Sequence, residues 1–446
     1  MNASFMTSLC LVVLLCQAES AGALTVERVG AAYGLIAPTS ATLPARGRPF
    51  KLNGCTVTRL TDVADVAGQL NPDYPYAGEP GRGLHNGYSK YSCANLSGEY
   101  FIAFGVQPWI NGLYRRDGAF ERKLFHRAGD GRALGMGETW DIRWDLSGES
   151  GTGNSIYYAI DDAIWRQDVR TAAQELIARF PGWGVRHEGH MDQSTDARWR
   201  AVSLLSADQK RYKLVLLNLR TGKAIDRALP GGELSDVSPT GRWLQSGRRF
   251  YSIPALDAGT TRGVELPCGN FGHDGWAWDA AGHELYTFQD NTTDWMSAWN
   301  PATGERIDML NMNEMGYGLN QHMSRIARPV LKGWMLMSTY CADDRGWPYN
   351  QIFMLEIKPA AEHPRLVRLA PTQNHWMGGE KSRSYFAETF ASMAPDGRAV
   401  YWANNWLGTS NLDVYRLDLP AGWTALDAPT AGPAAAEAAA ADGKEK

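Results

Sequence analysis

Gly189-His-Met-Asp-Gln-Ser-Thr-Asp-Ala-Arg-Trp-Arg-Ala-Val-Ser203 reads as a strand, a tight turn at Thr195–Arg198 and a returning strand. The unit recurs along the chain. Its turns fall at Leu96-Ser-Gly98, Leu146-Ser-Gly148, Thr195-Asp-Ala197, Pro239-Thr-Gly241, Ala280-Ala-Gly282, Leu331-Lys-Gly333 and Pro395-Asp-Gly397. Successive turns lie about 41 to 64 residues apart, and a four-stranded blade takes ~40–50. Apolar strands follow the turns, such as Tyr100–Phe104, Glu284–Phe288 and Trp334–Ser338, and no helical period competes with them. The expectation is an all-β fold, a seven-bladed β-propeller.

The ends of the repeat say how the ring closes. The seventh copy stops at Leu419, one strand short, while Lys51–Leu60 reads as a single β-branched strand with no hairpin partner. That orphan strand is expected to complete the seventh blade and cover its open edge. The propeller then spans 51–419. Residues 24–50 read as a leader without period. The Ala/Pro-rich tail, 420–446, has too few large apolar side chains to join a core and is expected to be disordered.

Leu9–Leu15 is an apolar run too short to span a bilayer, and Ala21-Gly-Ala23 is a small-x-small cleavage site. Residues 1–23 are expected to be a signal peptide, which makes the mature chain secreted or periplasmic, with no membrane association. Cys55, Cys93, Cys268 and Cys341 would then lie in an oxidising compartment, where three pairings are open. The chain has a net charge of −4 and no basic run, which argues against nucleic acid. A monomer is expected. Asn95-Leu-Ser97 and Asn291-Thr-Thr293 match the glycosylation acceptor pattern.

In a propeller the first strand of each blade lines the axis. His190, His273 and His322 all stand just ahead of a turn, on three such strands. His190 is four residues before Ser194 and His273 six before Asp279; even separations put both side chains on one side of their strands. Imidazoles gathered at the mouth of the axis bind a divalent metal or act as acid and base. Structural histidines that merely bond a carbonyl are the competing account. Tyr88, Lys90, Tyr91, Glu138, Trp140, Asp141 and Glu388 also fall on or before first strands. Two carboxylates facing each other, as Glu138 and Glu388 could, would suit a glycoside hydrolase. Asp343–Tyr349, with Trp347, and Gln373–Gly379, with His375, mix aromatic and polar groups as sugar-binding rims do.

Ser238-Pro-Thr-Gly241 and Ala394-Pro-Asp-Gly397 resemble the hairpin turn of the TolB-type propeller repeat. The axial residues resemble those of propeller polysaccharide lyases: the oligogalacturonate, ulvan and rhamnose–glucuronate lyase types. The resemblance implies β-elimination on a uronic-acid polysaccharide or oligosaccharide. It implies His190, His273, Gln321 and His322 as ligands of a divalent metal (manganese or calcium), although here Gln321 and His322 are adjacent. Roles follow by the same analogy. His190 would be the base, Arg325 the partner of the substrate carboxylate, and Tyr88 or Tyr340 the acid. His85, Lys90, Trp140, Trp347 and His375 would bind substrate. A non-catalytic glycan- or protein-binding propeller stays open beside these.

Overall fold

The computed structural model describes residues 24–30, 42–69, 83–105, 111–124, 142–149, 153–185, 193–208, 210–227, 229, 235–315, 320–340, 349–374, 387–408 and 411–426. Seven antiparallel sheets follow one another along the chain, five of four strands and two of five. Their first strands are Leu84–His85, Arg143–Trp144, Trp183–Val185, Ser235–Val237, Phe271–Trp278, Asn320–Ser324 and Ser392–Met393. They open blades one to seven of the expected propeller.

The repeated turn is the same object in each blade. Gly98, Gly148, Gly241, Gly282, Gly333 and Gly397 all have φ between 65° and 95°, and Ala197 takes that place in blade three at φ 50°. The amide of the residue before the turn bonds the carbonyl five positions on: Asn95 to Tyr100, Ser194 to Trp199, Ser238 to Trp243 and Ala394 to Ala399, at 2.8–2.9 Å. The turns also sew blades together. Thr195 N–H donates to Pro239 O at 2.8 Å, and Thr240 Oγ1 donates to Glu284 Oε2 at 2.5 Å.

Second strands such as Ser155–Ile160, Trp334–Tyr340 and Ala399–Asn404 are buried along their whole length. Each is covered on both faces by neighbouring blades, so its sequence is apolar without alternation. Among the described residues an apolar cluster fills every blade junction. Tyr100 and Ile156 join blades one and two, Val202 and Tyr157 blades two and three, and Phe101 and Tyr401 blades one and seven.

The ring closes with an N-terminal strand, as expected. Thr56–Arg59 pairs antiparallel with Tyr415–Asp418 and supplies the missing fourth strand of blade seven. The segment is not one strand. Phe50–Leu52 turns back on Cys55–Arg59 through Asn53 and Gly54, at φ 46° and 78°. Asn-Gly favours that turn because both residues accept positive φ. The leader also carries structure, since Thr25–Arg28 pairs with Arg365–Arg368 as the outermost strand of blade six. Nor is the tail unstructured from 420: Trp423 is buried against Trp334, ring centroids 4.9 Å apart. Arg365 holds the segment there by donating to Thr424 O and Leu426 O. Residues 1–23 and 427–446 lie outside the described residues.

Cys55, Cys93 and Cys268 are buried free thiols, so none of the three disulfide pairings is complete; Cys341 lies outside the described residues. Burial pushes the Cys55 thiol up to about 12. Asn95 is no glycan acceptor in this fold, since it is 1% exposed and its amide donates to Asn154 Oδ1 at 3.0 Å. Among the described residues, no helix is long and apolar enough to cross a membrane.

Two substitutions test the turns. At Gly98 a Cβ meets nothing within 4 Å, whereas at Gly241 it meets Trp199 Cδ1 at 3.0 Å and Ser194 Cβ at 3.1 Å. Gly98→Ala should cost only the left-handed backbone, about 1 kcal/mol, and Gly241→Ala measurably more, by denaturant unfolding. Trp423→Ala should destabilise by about 3 kcal/mol, because the tail segment is part of the blade-six core.

Candidate functional site at the axial mouth

The first strand of blade five, Phe271–Trp278, begins with an irregularity that decides the site. Its pairing shifts register between Gly272 and Asp274, which makes His273 an extra residue, with φ 21°. Consecutive strand residues normally face opposite ways, and a bulge relaxes that rule. His273 and Asp274 therefore both reach axial partners. Counting six residues back from Asp279 could not reveal this.

His273 meets His322 of blade six edge to face, centroids 4.5 Å apart. Around His322 stand Tyr88 from blade one at 5.3 Å, Tyr340 from blade six stacked at 5.0 Å, and Phe390 ahead of blade seven at 4.5 Å. His322 is 2% exposed, and its Nε2 lies 3.2 Å from Glu388 Oε2. Tyr340 also hydrogen-bonds Glu388. The segment carrying Glu388 and Phe390 is pinned on both sides. Ser338 Oγ donates to Thr389 O at 2.5 Å, and Asn86 Nδ2 donates to Phe390 O at 2.7 Å.

Burial sets the charge states. It raises Glu388 to about 7, against the opposing pull of the Tyr340 hydrogen bond and the His273 charge. It lowers His322 to about 3 and His273 to about 3, the latter helped by repulsion from His322. In a low-dielectric enclosure all three groups prefer to be neutral. Two uncharged bases, a carboxyl that titrates near neutrality and two phenols thus share one mouth.

Below this layer, salt bridges cross the ring. Lys90 of blade one meets Asp274 of blade five at 2.5 Å, both side chains almost fully buried. Asp274 also accepts from Tyr286 OH at 2.6 Å. Arg325 of blade six donates to Asp236 of blade four at 3.0 Å and to Gln193 O of blade three at 2.8 Å. Thr195 Oγ1 donates across to Ala327 O at 2.6 Å.

The expected site residues distribute as follows. Tyr88, Tyr340, His273 and His322 come together, joined by Glu388. Lys90 lies one layer beneath. Arg325 is 7% exposed and bound to Asp236 and Gln193. His85 is buried against Phe104, and its Nδ1 accepts the Gly87 amide at 3.1 Å. Burial holds it neutral, down to about 3. Gln321 donates to Gln289 Oε1, on the other side of its strand from His322. His190, Glu138, Trp140, Asp141, Trp347 and His375 lie outside the described residues. Asp274, Phe390, Asp236 and Tyr286 are additions. Phe390 follows Glu388 by two and Asp274 follows His273 by one, so adjacency to those two residues is the signal in the sequence.

Among the described residues, no three metal-ligating side chains converge. His322 spends Nε2 on Glu388, and Gln321 spends its amide on Gln289. The described residues do not compose the expected ligand set.

No family model matches the chain, and no curated protein matches it. Solved structures do. An oligogalacturonate lyase in complex with manganese aligns at 14% identity with a TM-score of 0.56, over 85% of this chain and 100% of that one. The oligogalacturonate lyase of Vibrio parahaemolyticus aligns at 13% identity and the same TM-score, over 85% and 100%. The chain is a seven-bladed propeller similar in fold to these enzymes.

Glu388 offers a check on the charge assignment. Its folded pKa, about 7, lies above the ordinary carboxylate value of 4.5, so the folded state holds this proton more tightly. The stability this contributes is full below the ordinary value and is lost as pH rises through about 7. Glu388→Gln keeps the shape and cannot ionise. It should raise the unfolding free energy at about pH 8.5 by on the order of 2 kcal/mol, and leave it unchanged near pH 4, by denaturant unfolding.

Proposed function

We propose that this protein is an exported polysaccharide lyase that cleaves a uronic-acid-containing glycan by β-elimination at the axial mouth. The observation that carries the reading is the Glu388–His322–Tyr340–His273 cluster. It places neutral bases and a hydrogen-bonded phenol in contact within a water-poor enclosure. The fold likeness to oligogalacturonate lyases supports it. Export rests on the apolar run Leu9–Leu15 and on Ala21-Gly-Ala23.

Elimination needs two proton movements. A base removes the proton on the carbon next to the uronate carboxylate. The electron pair forms a carbon–carbon double bond as the neighbouring glycosidic C–O bond breaks, and the departing oxygen takes a proton. His273 is only partly buried and is neutral at working pH, which suits the base. Tyr340 is the acid, positioned by Glu388 and by stacking on His322. His190 is the second imidazole that fits the base role.

A panel of uronate polysaccharides and oligosaccharides should include one that yields product with the ultraviolet absorbance of the new double bond. Tyr340→Phe should lower kcat about 10²- to 10⁴-fold with unchanged circular dichroism. No unsaturated product from the whole panel, with and without added manganese or calcium, removes the lyase reading. Sugar release without unsaturation points to a hydrolase, and binding without turnover to a recognition module.

A further inference from the structure

The reaction proposed above needs a cation for the substrate carboxylate, and Arg325 is fully engaged elsewhere. Lys90 is better placed. It follows Tyr88 by two residues, and Tyr88 packs on His322. Its ammonium meets Asp274, the neighbour of His273, so it lies directly beneath the cluster. His273 feels the charges of both Lys90 and Asp274.

The chemistry of the pair differs from that of Arg325. Arg325 divides its planar fork between a carboxylate and a backbone carbonyl, and turning it away would strand both in a dry interior. Lys90 is a point charge on a flexible stem, and among the described residues its ion pair is with Asp274. Asp274 has a second donor, Tyr286 OH at 2.6 Å, that would still serve it once the ammonium moved. A buried ion pair is rarely better for stability than apolar packing of the same volume. An exchangeable cation under a mouth that handles carboxylates gives it a purpose.

We infer that Lys90 is the residue that selects for a charged uronate, leaving Asp274 to bind the substrate carboxylate beneath His273. The inference rests on the lyase reading for its substrate class. It assigns carboxylate recognition to blade one and leaves Arg325 as a tie between blades three, four and six.

The test compares galacturonate and glucuronate oligosaccharides with their methyl esters, which lack the charge. Lys90→Met alone strands Asp274, so the double variant Lys90→Met/Asp274→Asn is made beside it, with folding checked by thermal unfolding. In wild-type protein the acid should be preferred. In the double variant KM for the acid should rise about 10- to 100-fold, the equivalent of one charge-assisted bond, with a smaller change in kcat. Preference over the ester should collapse, and Lys90→Arg should recover part of it. A folded double variant that keeps its acid-over-ester preference overturns the assignment. Calorimetric titration of the same oligosaccharides into wild type and double variant reads Lys90 without turnover. Equal affinities there overturn it too, whereas a charge-dependent loss of affinity in a protein with no lyase activity sinks only the lyase reading.

Discussion

Everything here depends on one pairing between distant parts of the chain, Thr56–Arg59 against Tyr415–Asp418. Each blade is a small sheet that buries both faces only against its neighbours. Without closure, blades one and seven would each expose a face, among them Phe101, Tyr114 and Tyr401, all now nearly inaccessible. The closing strand also ends an exposed sheet edge that could otherwise recruit another chain. The side chains agree with the backbone, for Arg59 reaches Asp413 at 2.9 Å inside the same junction.

Closure is also what makes a site. The groups at the mouth come from blades one, five, six and seven, and none of them is a sequence neighbour of all the others. Once assembled, they are surrounded by rings and lose water. Desolvation then does what sequence alone does not: it brings a carboxyl close to neutrality and strips the imidazoles of their protons. Glu388 and His322 are ordinary residues whose chemistry is made by their surroundings.

The repeat was legible because its turn has a steric requirement. Six glycines and Ala197 occupy the same left-handed position, and their spacing counts the blades. His273 and His322 were legible for the same reason, since position in the repeat maps onto distance from the axis. What stayed hidden depends on local exceptions or on closure itself. The bulge at His273 breaks the alternation on which a parity count relies. Asn53-Gly54 carries a hairpin signal within what otherwise reads as one strand. Trp423 docks only because Trp334 and Arg365 are waiting on another blade. The partners of Lys90 and Arg325 lie 184 and 89 positions away along the chain, taking 274 minus 90 and 325 minus 236, and no spacing rule relates them.

The cross-ring ties have a mechanical consequence. Lys90–Asp274, Arg325–Asp236 and the Thr195–Ala327 bond run from one side of the annulus to another and leave its centre bridged. Blades that share no junction are thereby held at a fixed spacing. Loosening one blade therefore strains partners two or three places round the ring, and not only the blades on either side.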